Sequence, residues 1–167
     1  IYDYDPGKTM DGMSFSSLRL LGHDMQWLKE RGVWGFWTEG NCNWFVTQLN
    51  FYVRARLMWN VHEDVGGIVH DFCQKFYGPA AKPMEKYLWT VEEALDSADV
   101  HLTWGKTEPW LKILPPKTEA KLAGCVARAE KLAKDGPEQA RVHAWSLLWA
   151  HTRENLEMQR AAEEGRF

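Results

Sequence analysis

The order of strand and helix patterns in residues 1–60 constrains the fold most. Ile1–Asp5 has the pattern of a strand end and is closed by Pro6-Gly7. Val33–Thr38 is apolar and aromatic-rich and lies between Gly32 and Gly40, which is typical of a short buried strand. We therefore predict two strands in this part of the chain, each followed by a helix.

Each predicted strand is followed by a segment with helical periodicity. The first helix is predicted from Ser14 to Arg31, with Gly32 as its C-terminal cap, and the second from Trp44 to Trp59. Short connections in a strand-helix-strand-helix order are typical of parallel βα units. Because buried parallel strands need neighbours on both sides, two strands do not form a stable sheet alone. We expect the chain to be a fragment of a longer barrel or to pair with a companion chain.

The pattern from His62 onward is purely helical. An apolar stripe predicts a helix that Gly78-Pro79 ends, and it is made by Val65, Ile68, Val69, Phe72, Cys73 and Phe76. The face of the next helix is formed by Met84, Tyr87, Leu88, Val91 and Leu95. Two long helices follow, one from Thr118 to Lys134 and one from Pro137 onward. Their inward residues are predicted to be Leu122, Val126, Ala129 and Leu132, and Val142, Trp145, Trp149 and Leu156.

Composition excludes several classes of function. The 167 residues are 45% hydrophobic and 26% charged, which is typical of a soluble globular chain. The net charge of −3 argues against binding to nucleic acid or to an anionic membrane, and no apolar run is long enough to span a bilayer. The three cysteines lack metal-site spacing, and Cys73 and Cys125 are expected to be buried. We predict no metal and no cofactor.

Ten tryptophans are the unusual feature of the composition. A tryptophan side chain suits both a large core and a ligand platform. We expect most of them to pack in the core, and we expect the same of Trp34 and Phe36.

Parallel βα architectures bind ligands at the C-terminal ends of their strands. In this chain the rule selects Asp3-Tyr4-Asp5 and the stretch from Trp37 to Asn41. Glu39 is the sharpest catalytic candidate, since partial burial after an apolar strand raises a carboxyl pKa toward the range of a useful acid or base. Two other roles stay open for Glu39, namely hydrogen bonding to a sugar hydroxyl and capping of the following helix.

The neighbouring side chains are candidates for substrate binding. Asp3 and Asp5 offer carboxylates for sugar hydroxyls and Tyr4 offers a ring, although a turn role beside Pro6-Gly7 suits Asp5 equally. Trp37 and Trp44 flank Glu39 and are candidates for stacking on a pyranose ring. Asn41 completes the predicted binding residues.

The stretch from Leu49 to Leu95 resembles a known family. It is similar to the "domain of unknown function 4838" proteins, which are grouped with glycoside hydrolase family 163. The features that carry the resemblance are Tyr52-Val53, Ala55-Arg56-Leu57, Trp59-Asn60, Asp64-Val65, Asp71-Phe72-Cys73 and the turn from Phe76 to Ala81. The characterised activity of that group is endo-β-N-acetylglucosaminidase action on N-glycans.

The resemblance implies an α/β fragment that is mostly α. Residues 1–60 correspond to the last two βα units of a (β/α)8 TIM barrel, and residues 61–167 to an all-α helical domain. The expected activity is that of a glycoside hydrolase on glycans or polysaccharides, in an extracellular or periplasmic bacterial protein. Expected partners are a carbohydrate substrate and the remainder of the barrel, upstream or in a companion chain. Two alternatives are a non-catalytic carbohydrate-binding or scaffolding protein and an α-glucuronidase-like hydrolase.

Overall fold

A computed structural model of the chain describes residues 1–3, 12–38, 44–101 and 109–166. The described residues are mostly helical, with two short strands. The strands are β1 (Tyr2–Asp3) and β2 (Trp37–Thr38). The helices are α1 (Leu18–Glu30), α2 (Trp44–Trp59), α3 (Val65–Tyr77), α4 (Ala81–Ser97), α5 (Trp110–Ile113), α6 (Pro116–Leu132) and α7 (Gly136–Glu163), with a 3-10 turn at Gly78–Ala80 between α3 and α4.

The two strands pair in parallel, as predicted. Tyr2 lies opposite Trp37 and Asp3 lies opposite Thr38. In its described part the pairing is shorter than the sequence pattern indicates, because Val33–Phe36 precedes β2 without joining the sheet. An apolar run becomes a strand only where a partner backbone accepts its hydrogen bonds. Here the Trp37 amide donates to the Ile1 carbonyl at 2.8 Å.

Helices α1 and α2 pack together. Helix α1 begins at Leu18, later than predicted, because Ser14 and Ser16 are buried in a non-helical segment. The Ser17 amide donates to the Asn50 side-chain oxygen at 3.3 Å, which ties this entry to α2. Gly32 ends α1 with φ +76°, as the predicted C-terminal cap requires. Helix α2 has its predicted bounds. Val46, Leu49, Val53 and Leu57 recur at helical spacing in the sequence, and all four are buried.

Helix α3 buries a stripe that is rotated from the predicted one. Its most buried residues are the predicted members Ile68, Val69 and Cys73, together with Tyr77, which was not predicted. The predicted members Val65, Phe72 and Phe76 are only half-buried, so full burial of Phe72 was wrong. The apolar pattern of α3 is wide enough for two adjacent stripes, and Tyr77 decides between them because its hydroxyl accepts a hydrogen bond from Trp145 of α7 at 2.7 Å. Truncation of Phe72 should therefore cost less than truncation of a fully buried phenylalanine.

The remaining helices largely follow the prediction. Helix α4 packs against α6, and α6 packs against α7. The inward residues that are buried as expected are Met84, Tyr87, Leu88, Val91, Leu122, Val126, Ala129, Val142, Trp145, Trp149 and Leu156. Two predicted core positions are wrong: Leu132, the last residue of α6, is 40% exposed and Leu95 is half-buried. Cys73 and Cys125 are buried free thiols, as predicted.

The expectation that most tryptophans pack in the core was wrong. Among the described residues, Trp110, Trp145 and Trp149 are buried. The exposed ones are Trp27, Trp34, Trp37, Trp44 and Trp59. Trp34, which was expected in the core, is 97% exposed. It lies ahead of the paired part of β2, where no described element covers it, and Phe36 is half-buried.

The described chain forms two compact units, residues 1–72 and residues 73–167. Unit 1 contains both strands with α1, α2 and most of α3, and unit 2 contains the end of α3 and helices α4 to α7. The assignment of residues 1–60 to a barrel and 61–167 to a helical domain stays a prediction. In the described part of the chain, no helix combines the length and apolarity that crossing a membrane requires.

Candidate functional site

The carboxyl ends of β1 and β2 lie side by side. In a parallel pair, residues in register point to the same face of the sheet and alternate along each strand. Tyr2 and Trp37 therefore share one face, and Asp3 and Thr38 share the other. The two faces offer different chemistry, an aromatic face and a polar one.

The aromatic face is open. The rings of Tyr2 and Trp37 have their centroids 4.9 Å apart and are tilted by 48°. Tyr2 is 44% exposed and Trp37 is 70% exposed. Two adjacent, accessible rings at a strand end form an apolar surface with polar edges, on which a sugar ring can stack. Trp37 was a predicted binding residue, whereas Tyr2 was not.

The polar face is organised by a buried arginine. Arg54 of α2 donates from its Nη2 atom to an Asp3 side-chain oxygen at 3.2 Å. Its side chain is 9% exposed and that of Asp3 is 48% exposed. The guanidinium lies over the Phe36 ring, 4.6 Å from its centroid. Arg54 therefore fixes the orientation of the Asp3 carboxylate from the side of α2, while Asp3 remains accessible to a ligand.

Arg54 belongs to a polar stripe inside unit 1. Thr47, Asn50 and Arg54 occur at helical spacing on α2, and all three are buried. Among the described residues, no acceptor hydrogen-bonds the Nε atom of Arg54 or the side-chain nitrogen of Asn50, and the hydroxyl of Thr38 has no partner. Buried polar groups usually have partners. The face of the strand pair that Asp3 and Thr38 share is thus rich in hydrogen-bonding groups.

A cavity of about 370 Å³ lies beside these residues in unit 1. This volume is within the range of small-molecule sites. Its polar and aromatic lining includes Tyr2, Asp3, His23, Asp24, Trp27 and Arg54. His23 and Asp24 are hydrogen-bonded to each other at 3.2 Å. The cavity combines carboxylates with aromatic rings, which is chemistry suited to a polyhydroxylated ligand.

The other predicted site residues divide into two groups. Trp44 is exposed, but its ring stacks on Phe51 of the same helix, with centroids 4.8 Å apart and an angle of 23°. The predictions for Tyr4, Asp5, Glu39 and Asn41 fall outside the described residues.

Several residues that carry the family resemblance have structural roles. Arg56 forms a bidentate ion pair with Glu63 and donates to the Tyr52 hydroxyl at 3.2 Å. These hydrogen bonds raise the pKa of Arg56. The Tyr52 ring contacts Phe72, with centroids 5.3 Å apart. Together these contacts connect α2 to the segment before α3 and to the middle of α3.

The acidic segment before α3 also has a structural role. The predicted helix start is confirmed there, since an Asp64 side-chain oxygen accepts a hydrogen bond from the Gly67 amide at 2.6 Å. Within the described ranges, no three His, Cys, Asp or Glu side chains are grouped as metal ligands would be.

The sequence did not single out Tyr2 or Arg54. The detectable signal for Arg54 is its position: it interrupts the apolar face of α2 directly after Val53, and a charged residue there needs a partner. For Tyr2 the signal is the strand register, which pairs it with Trp37 once the two strands are placed in parallel.

Comparison with known proteins gives one match. No curated protein and no solved structure shows significant similarity to the chain. A family profile matches residues 1–89, which is more than half of the chain and includes the strand ends, the Arg54 stripe and the α2–α3 connection. The chain therefore belongs to the family described as Domain of unknown function (DUF4838).

Proposed function

We propose that the chain is part of a glycoside hydrolase-like protein and that its strand ends line a carbohydrate site. The observation that carries the proposal is the exposed ring pair of Tyr2 and Trp37, of which Tyr2 also lines the cavity that contains Asp3. Aromatic rings and carboxylates complement the apolar faces and the hydroxyls of a sugar. In this proposal the two strands are the last two of a (β/α)8 barrel whose remaining strands cover the open edges.

Asp3 and Glu39 have different proposed roles. Arg54 holds Asp3 in one orientation, which suits a carboxylate that accepts hydrogen bonds from hydroxyl groups. Glu39 follows β2 directly in the sequence, and in the proposal it binds a hydroxyl group or transfers a proton. Glycoside hydrolysis generally needs two carboxyl groups that flank the scissile bond. In this proposal, the main pair of catalytic carboxyl groups lies on other strands of the barrel.

A binding-only function is the second candidate. The Arg54–Asp3 ion pair favours it, because the guanidinium fixes the orientation of a carboxylate that can accept hydrogen bonds from hydroxyl groups. The same ion pair argues against an α-glucuronidase-like site at this position, since the positive charge of Arg54 is already matched by Asp3. For either candidate we propose an extracellular or periplasmic location.

The test measures turnover and binding of an N-glycan by the intact protein. Glu39→Gln should weaken turnover by about 10²-fold or more if Glu39 transfers a proton. If it binds a hydroxyl group, the loss should be about 1.5–3 kcal/mol and should appear mainly in KM. We expect the smaller effect.

Matched variants distinguish the site from the rest of the surface. Trp37→Ala should weaken glycan binding. Trp59→Ala removes an exposed tryptophan at the end of α2, outside the linings of the cavities that contain Asp3 or Trp37, and should not. Glu30→Gln at the end of α1 is the control for Glu39→Gln. Binding without turnover would select the binding-only function. If all four variants bind the glycan as tightly as the unaltered protein, the strand ends do not form the carbohydrate site.

A further inference from the structure

Unit 2 contains a groove that the carbohydrate proposal does not use. It has a volume of about 590 Å³ and lies between α4 and α6. Its floor includes Pro83 and Cys125, both buried. Its walls carry four cations, namely Lys82, Lys86, Lys121 and Arg128. The groove therefore has an apolar floor between two basic walls.

Helical spacing explains why the cations converge. Lys82 and Lys86 are four residues apart on α4, so they occupy one face, and Lys121 and Arg128 are two turns apart on α6. Across the groove, Lys86 and Lys121 both act electrostatically on the Cys125 thiol, where they oppose the rise in its pKa that burial causes. The two walls thus face a common centre.

Nearby acidic groups leave most of this charge unmatched. Lys121 pairs with Glu93 at 3.2 Å. Among the residues that the structure describes, none forms an ion pair with Lys82, Lys86 or Arg128. On α6, Glu119 pairs with Arg160 rather than with a cation of the groove. The groove is therefore positive in a chain whose net charge is −3.

We propose that this groove binds a segment of an anionic glycan, with sulfate or carboxylate groups along its length. The cations on α6 are spaced by about 10 Å and those on α4 by about 6 Å at the helical rise per residue. A single small anion contacts only part of such a set, whereas charges repeated along a chain contact all of it. Among the described residues, the groove lining has no aromatic ring on which a nucleobase or a sugar would stack, so recognition in the groove is by charge.

The choice of a glycan rather than an acidic peptide rests on the proposed carbohydrate function. The residues of the groove are nevertheless separate from those of the strand ends, so the two proposals are tested separately. Binding in the groove requires no bond cleavage.

The experiment is calorimetric titration of the full chain with four probes of similar length. These are a sulfated oligosaccharide, a uronate oligosaccharide, a neutral oligosaccharide and a poly-glutamate peptide. We expect binding of one or both anionic sugars, weakened by added salt because the contacts are exposed to solvent. The sulfated and uronate probes show which anionic group the groove prefers.

Charge reversal locates the binding site. Lys86→Glu combined with Lys121→Glu should weaken binding of the anionic sugar by about tenfold or more, since two exposed attractions become repulsions. The control combines Lys117→Glu with Lys134→Glu, two exposed lysines outside the groove lining, and should change the affinity by less than about threefold. Circular dichroism verifies that each double variant is folded. If the Lys86→Glu and Lys121→Glu variant is unfolded, the milder Lys86→Gln and Lys121→Gln variant is used in its place.

Three outcomes would overturn the proposal: equal binding of the neutral probe, equal losses in both double variants, or tighter binding of poly-glutamate than of either anionic sugar. The last result would identify a peptide groove. If the protein does not hydrolyse glycans but the groove of unit 2 still binds the anionic sugar, the proposed hydrolase activity is wrong and the groove proposal stands.

Discussion

Tyr77 shows how single polar atoms are accommodated in the core of unit 2. Its side chain is buried, and its hydroxyl accepts a hydrogen bond from the indole nitrogen of Trp145. The Trp145 ring also contacts Tyr87 edge-on, with centroids 5.2 Å apart. The contact joins the last turn of α3 to the middle of α7 and satisfies an indole N–H that has no access to water.

Removal of the Tyr77 hydroxyl should therefore be costly. We expect Tyr77→Phe to lower the free energy of unfolding by about 1–3 kcal/mol, because the Trp145 N–H loses this acceptor in the buried core. Urea denaturation gives this value. In the Trp145→Phe background, the same substitution should cost clearly less, since the donor is gone. Additive losses in the double variant would show that the hydrogen bond contributes nothing.

Single residues also show where sequence reasoning stops. Trp145 and Trp149 were correctly placed in the core because they recur with Val142 and Leu156 on one helical face. Trp34 was misplaced because an apolar run without periodicity does not reveal which side is covered. Arg54 was missed because its partner, Asp3, is remote in the sequence, and a single sequence does not show such pairs.

At the scale of elements, helix α1 approaches α3 closely at Gly22. A Cβ atom on Gly22 would lie 2.8 Å from a methyl carbon of Val65, at the start of α3. Valine is stiff at χ1, so it does not move aside easily. Gly124, in α6, has open space at the corresponding position. The two glycines form a matched pair for separating crowding from helix propensity.

Alanine should have opposite effects at these glycines. Gly124→Ala should stabilise the protein by about 0.5–1 kcal/mol through helix propensity. Gly22→Ala should be less favourable than Gly124→Ala by about 1–3 kcal/mol, because the added methyl overpacks the contact with Val65. Thermal or urea unfolding measures both. Val65→Ala should abolish the difference, and a difference that persists in that background would refute the steric explanation.

Element bounds were predictable where local chemistry ends a helix. The bounds of α2, the Gly32 cap of α1 and the break at Gly78-Pro79 follow from residue types alone. The start of α1 was not predictable, because Ser14 and Ser16 are buried by tertiary contacts. Half of the predicted α3 stripe is buried, and the other half is not, since the orientation of the helix depends on Tyr77 and its hydrogen bond to α7.

At the scale of the whole molecule, buried ionisable groups couple stability to pH. Burial, assisted by the negative charge of Glu85, raises the pKa of the Cys73 thiol to about 12. Burial also raises the pKa of Tyr77 and of Cys125. All three groups are neutral when protonated. The folded state therefore retains protons that the unfolded chain releases at alkaline pH.

Stability should fall as the pH rises above about 9. Below the pKa of the Cys73 thiol in the unfolded chain, the thiol is protonated in both states and the folded state keeps its full stability. Between that pKa and about 12, the thiol ionises only in the unfolded state, so the free energy of unfolding falls as the pH rises. Each such group contributes a slope of about 1.4 kcal/mol per pH unit. Urea denaturation followed by circular dichroism between pH 8 and pH 10.5 measures the slope. Cys73→Ala should reduce it, whereas Val69→Ala, a truncation of a buried neighbour, should lower stability and keep the slope.

The uneven placement of tryptophans has an optical consequence. The buried indoles among the described residues belong to residues 73–167, and the exposed ones to residues 1–72. Indole emission shifts to longer wavelength in water, so the fluorescence spectrum should contain a blue component from one unit and a red component from the other. A soluble quencher such as iodide should remove the red component first. The chain thus carries two intrinsic probes, one that reports on residues 1–72 and one that reports on residues 73–167.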